Sequence, residues 1–122
     1  MELFRFLNFE VYKKSKKLYR EINKLTKNFP RSYYYLVDQL KRASLSVPLN
    51  IAEGSAKSSD KDFARYLQNS LGSINEVVAC LDISLEEKLI NKTQFQKLSE
   101  ESEIIAKQLG SFIKKLKPKA KS

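Results

Sequence analysis

The sequence contains no histidine, a single cysteine (Cys80), and only three glycines and three prolines among its 122 residues. Without histidine, the commonest general base, the commonest zinc ligand and the usual proton shuttle near neutral pH are all missing. One cysteine excludes an intramolecular disulfide. Scarce glycine and proline leave few turns, so the elements must be long, and long elements of this composition are helices. Long apolar runs are missing too: Val77 to Leu81, five residues, is among the longest, against the ~20 a bilayer requires. The stretch from Met1 to Leu7 is interrupted by Glu2 and Arg5, too early for a signal peptide. The expected location is the cytoplasm, with no membrane partner. There is also no glycine-rich phosphate loop, no Cys/His cluster and no Ser-His-Asp set. The expectation is a protein that is not an enzyme, with no catalytic residue, cofactor or metal.

What the sequence does have is length enough for one self-sufficient domain and a net charge of +9, from 23 Lys and Arg against 14 Asp and Glu. Such a charge favours polyanionic partners, nucleic acid first; plain solubility accounts for it equally well. The charge is unevenly spread. Lys13, Lys14, Lys16, Lys17, Arg20, Lys24, Lys27 and Arg31 crowd one segment, whereas the acids Asp82, Glu86, Glu87, Glu100, Glu101 and Glu103 crowd another. The two regions could attract each other between subunits, or the basic one could meet phosphates through Lys13, Lys14, Lys17, Arg20 and Lys24. The acidic group has no histidine beside it and flanks a loop, which reads as a solvated face instead of a metal site.

Helical periodicity is strong in four segments. Val11, Ser15, Leu18, Ile22, Leu25 and Phe29 recur at spacings of four and three, which predicts a first helix over about 9–28. Leu36, Leu40, Ala43, Val47 and Ile51 predict a second over about 33–53, with a kink at Ser44 to Pro48 and Gly54 as its stop. Ser59 and Asp62 form a capping-box pattern ahead of a third helix seamed by Phe63, Leu67, Ser70, Ile74, Val77 and Leu81 and ending near Glu87 or Lys88. Asn91 opens a fourth, seamed by Leu98, Ser102, Ile105, Leu109, Phe112 and Leu116. Four amphipathic helices on short loops make an all-α, antiparallel up-down-up-down four-helix bundle over 1–117, followed by a basic tail at 118–122.

Beside the apolar stripe of the second helix runs a polar one: Gln39, Arg42, Ser46, Asn50 and Glu53. Polar groups at a core edge need partners, since unpaired burial costs about 1–3 kcal/mol each. A subunit interface, a ligand or a network inside the monomer would each supply them. Gly72, in mid-helix, costs about 1 kcal/mol relative to alanine, which suggests close approach of another helix. Tyr33, Tyr34 and Tyr35 point around their helix, so at least one is exposed or at an interface. Cys80 sits in an apolar stretch and reads as packing.

Phe29-Pro30, then Gln39-Leu40-Lys41-Arg42-Ala43-Ser44-Leu45-Ser46-Val47-Pro48-Leu49-Asn50-Ile51-Ala52-Glu53-Gly54, resembles the signature of the four-helix-bundle proteins encoded within intervening sequences of bacterial 23S ribosomal RNA genes. Phe63-Ala64-Arg65-Tyr66-Leu67, Gly72-Ser73-Ile74 and Glu76 resemble the same family's third helix. The resemblance implies a homopentamer with no established enzymatic activity. It also implies kinship with accessory proteins of diversity-generating retroelements, basic pentamers that engage a reverse transcriptase and nucleic acid. Pro48, Asn50, Glu53 and Gly54 match the pattern; Tyr12 replaces a frequent tryptophan, and Arg31 to Tyr35 depart from the usual acidic loop. Two functions follow: a nucleic-acid-binding oligomer contacting RNA or DNA, or a protein-assembly module whose ligand is a protein partner.

Overall fold

The computed structural model describes residues 3–117; the basic tail expected at 118–122 lies outside them. Four helices run in order: α1 Glu10–Thr26, α2 Tyr34–Ser55, α3 Asp60–Glu86 and α4 Lys92–Leu116. Short 3-10 turns at Arg5–Asn8 and Arg31–Tyr33 precede α1 and α2, and there is no strand among the described residues. Each helix packs against its chain neighbours, α1 also closes on α4, and the backbones of the diagonal pairs stay farther apart. With short connections, that adjacency makes an up-down-up-down bundle. The α2–α3 pairing is the most extensive and the α1–α4 seam the thinnest.

The periodic positions form the core. Leu18, Ile22, Leu40, Val47, Ile51, Leu67, Val77, Leu81, Ile105 and Leu109 are all buried. Four seam residues, Leu25, Phe29, Phe112 and Leu116, pack at the margin, and Thr26 is buried in place of Leu25 and Ile113 in place of Phe112. Both replacements lie four residues after the preceding core residue. A straight helix has 3.6 residues per turn, so a strict seven-residue repeat drifts off the seam toward the helix end.

Buried hydroxyls sit among the apolar residues. Ser15, Thr26, Ser44, Ser84 and Ser102 each donate to the carbonyl four residues earlier, at 2.6–2.9 Å. Ser70 is different: its Oγ donates across to the Val47 carbonyl at 2.9 Å and ties α3 to α2.

The helix ends correct two sequence expectations, the stop at Gly54 and the box at Ser59. α2 carries buried Pro48 inside its helical span, and the proline leaves the Ser44 carbonyl without its i+4 donor, the cause of the kink expected there. Gly54 does not stop α2, which continues to Ser55, and no described glycine has a positive φ. At α3, Ser59 accepts from the Asp62 N–H at 3.1 Å, but the Asp62 carboxylate turns to Arg65 instead of completing the box. The reciprocal box belongs to α4, where Asn91 and Gln94 each accept from the other's backbone N–H.

Candidate nucleic-acid interface

The sequence positions proposed for phosphate contact lie on α1, opposite a core-facing line of Val11, Ser15, Leu18 and Ile22. At about 100° per residue, Lys13, Lys16, Lys17, Arg20, Lys24 and Lys27 fall within one outward band, and all six are exposed. Lys14 turns toward α4 and is half-buried.

Neighbouring carboxylates divide this band. Lys13 Nζ lies 3.8 Å from Glu10. Lys17 Nζ lies 3.9 Å from Glu21 and 3.6 Å from Glu101 of α4. No carboxylate among the described residues comes within 4 Å of Lys16, Arg20, Lys24 or Lys27. The structure therefore keeps Arg20 and Lys24 together as unneutralised cations and adds Lys16 and Lys27, which the candidate set omitted. It draws Lys13, Lys14 and Lys17 away from them. The three-four spacing of 16, 20, 24 and 27 was readable in the sequence; the pairing of Lys17 with α4 was not.

Lys16, Arg20, Lys24 and Lys27 border a groove of about 530 Å3 between α1 and α2. Its walls include Tyr12, Tyr19, Leu45, Pro48 and Leu49. Leu45 is 39% and Leu49 55% exposed, so this apolar surface is open to solvent. Lys16 Nζ stands 5.0 Å from the Tyr12 ring centroid, a cation–π contact that holds the lysine at the rim.

On the α4 side, Glu21 and Glu101 approach within hydrogen-bond reach of each other. Burial, then the neighbouring Glu21 carboxylate, raises the Glu101 carboxyl above its ordinary range; Lys17 and Lys97 pull the other way. Glu21 Oε2 and Glu101 Oε2 are buried without a partner among the described residues.

The polar stripe of α2 resolves into separate parts. Asn50 donates to the Ser46 carbonyl at 2.9 Å and to Ser46 Oγ at 3.0 Å, and Ser73 Oγ of α3 reaches Ser46 Oγ at 2.9 Å. Gln39 donates to the Glu76 carboxylate of α3. These residues form an internal α2–α3 network. Arg42 pairs with Asp38 on its own helix at 2.9 Å, and Glu53 is exposed. Gly72 faces open space: a Cβ there meets nothing within 4 Å. Close approach occurs instead at Gly54, where a Cβ would stand 2.7 Å from Tyr66 Cβ and 3.0 Å from Phe63 Cδ1.

Cys80 is buried, and burial first, then Glu76, pushes its thiol up, which keeps it protonated and unreactive. Tyr34 and Tyr35 are 74% and 60% exposed. Tyr33 turns inward and donates to Glu87 at 2.9 Å. No described helix is long and apolar enough to cross a membrane.

Comparison with curated proteins gave no match. Among solved structures, the chain is similar to a protein of unknown function from the S23 ribosomal protein family of Bacteroides thetaiotaomicron. The two share 27% identity with a TM-score of 0.79, over 85% of this chain and 98% of that one. The family model described as 23S rRNA-intervening sequence protein matches residues 7–111. On the bundle, the helix-two signature and this match, the chain belongs to the 23S rRNA-intervening sequence protein family.

Proposed function

We propose that the chain is a non-enzymatic, cytoplasmic, nucleic-acid-binding protein that works as a homo-oligomer, with the pentamer as the assembly expected from its family. The observation that supports this reading is the row of Lys16, Arg20, Lys24 and Lys27, exposed on one face with no carboxylate beside them among the described residues. Unneutralised cations release condensed counterions when they meet phosphates, and that release drives binding without reading sequence. Repetition of the row around an oligomer makes individually weak contacts act together.

The test is the affinity for a short RNA as a function of salt, beside the mass of the protein in solution. Four phosphate contacts per protomer predict a slope of log affinity against log salt of about −3 to −4. Arg20→Glu with Lys24→Glu flattens the slope and weakens binding to every sequence alike. An affinity that ignores salt rejects the phosphate reading, and a monomeric mass rejects the oligomer.

A protein-assembly module is the second reading, favoured by the exposure of Tyr34 and Tyr35 at the start of α2. Tyrosines at such exposure are favoured interface residues. It predicts a discrete protein partner on pull-down that is lost with Tyr34→Ala or Tyr35→Ala. Retention of that partner by both variants counts against it.

A further inference from the structure

We infer that the groove between α1 and α2 takes the unstacked bases of a single-stranded nucleic acid, so that the protein prefers a single strand to a duplex. The inference rests on the nucleic-acid reading above and names the ligand class for the same face. Phosphate contact requires cations alone, yet this cation row stands over an open apolar wall. Tyr19, Leu45 and Leu49 lie beside Lys16, Arg20, Lys24 and Lys27. Against a duplex, whose bases are stacked inward, that wall would stay wet. A single strand can turn its bases onto it while its phosphates meet the cations, the combination that serves sequence-tolerant single-strand binding. The volume suits planar rings: about 530 Å3 lies within the ~300–1,000 Å3 of ordinary ligand sites. The row is long enough as well. From Lys16 to Lys27, at about 1.5 Å per residue, it extends roughly 16 Å, enough to follow a few nucleotides of an unstacked strand. Charge complementarity excludes a basic or neutral occupant. An acidic peptide would satisfy the cations but brings flat faces only where it carries aromatic side chains, whereas every nucleotide brings one.

The experiment measures the affinity of the full chain for a strand of about 12 nucleotides without self-complementarity, as RNA and as DNA. Each is compared with its blunt duplex at the same salt. A glutamate-rich amphipathic peptide serves as the protein-like competitor. The expected result is binding of the single strand at least about ten-fold tighter than the duplex, nearly equal for RNA and DNA because stacking is indifferent to the 2′-hydroxyl. Tyr19→Leu and Leu49→Ser each remove most of that preference and leave duplex affinity unchanged. Leu49 is exposed, so its variant folds even if Tyr19→Leu does not, and circular dichroism checks both.

Equal affinity for strand and duplex, with neither variant having an effect, overturns the groove inference and leaves the phosphate reading standing. Absence of binding to any nucleic acid overturns both. Displacement of the strand by the acidic peptide at lower concentration identifies the groove as a protein-docking site. Dissociation of the oligomer by Leu49→Ser identifies it as a subunit contact. Either result overturns the inference.

Discussion

Lys88 has a φ of 61° and ends α3 in the left-handed conformation that glycine adopts without penalty. The Leu89 N–H reaches the Ser84 carbonyl at 2.9 Å and the Lys88 N–H reaches Leu85 at 3.0 Å, closing the helix on a side-chain-bearing residue. Lys88→Gly should therefore stabilise the protein by about 1 kcal/mol, seen as a higher urea midpoint at unchanged slope. The glycines behave oppositely to one another. Gly54→Ala drives a Cβ to 2.7 Å from Tyr66 Cβ, an attachment point that cannot swing aside, and should cost about 1–3 kcal/mol. Gly72→Ala meets nothing and should gain about 0.5–1 kcal/mol from helix propensity alone. If Gly72→Ala proves as damaging as Gly54→Ala, something outside this chain covers Gly72. The sequence marks Gly72 as an exception within a helix and reads Gly54 as a helix stop. Which of them is packed was not legible there, because a helical glycine gives no sign of what faces it across the bundle.

At the scale of the element, the α1–α4 seam is the thinnest in the bundle, and it holds the crowded carboxylates Glu21 and Glu101. The unfolded chain titrates Glu101 at its ordinary value of 4.5, and the folded chain titrates it higher. Below the ordinary value both states hold the proton and the pair costs nothing. As pH rises from the ordinary value toward the folded one, the unfolded chain gives up the proton that the native state still holds, so stability falls, and it levels off once the native carboxyl has ionised. The melting temperature should drop, as pH rises above 4.5, by more in the native sequence than in Glu101→Gln, which removes the titration. Parallel pH profiles for the two proteins would show that the fold does not raise the Glu101 carboxyl. None of this was visible in the sequence, where Glu101 belonged to an acidic run beside a loop. The run was readable; the opposing Glu21 is 80 residues away and is brought near only by closure of the bundle.

At the scale of the whole molecule, the +9 charge is a property of the composition, but its usable part is set by position. If the α1 row meets phosphate, Lys24→Gln should reduce the magnitude of the salt slope by about 0.7–0.9. Lys17→Gln should change it less, because Lys17 already stands between Glu21 and Glu101. Salt-dependent affinity measurements on the two variants decide this, and an equal effect would mean that the carboxylates release Lys17 on binding.

The four helices follow from the chain itself. Apolar residues at three- and four-residue spacing create one face that must leave water, and that face exists before any helix meets another. The end signals were legible for a similar reason: Ser59 and Asn91 act through backbone groups only three residues away. The partners of residues far apart in sequence belong to the tertiary structure. Ser46, Asn50 and Gln39 found theirs on α2 and α3, and Lys17 found its own on α4. The basic face was therefore evident in the sequence as a periodic row. The choice of Lys16, Arg20, Lys24 and Lys27 as its free cations came from packing, since a charge is neutralised by whatever the fold places within a few ångströms of it.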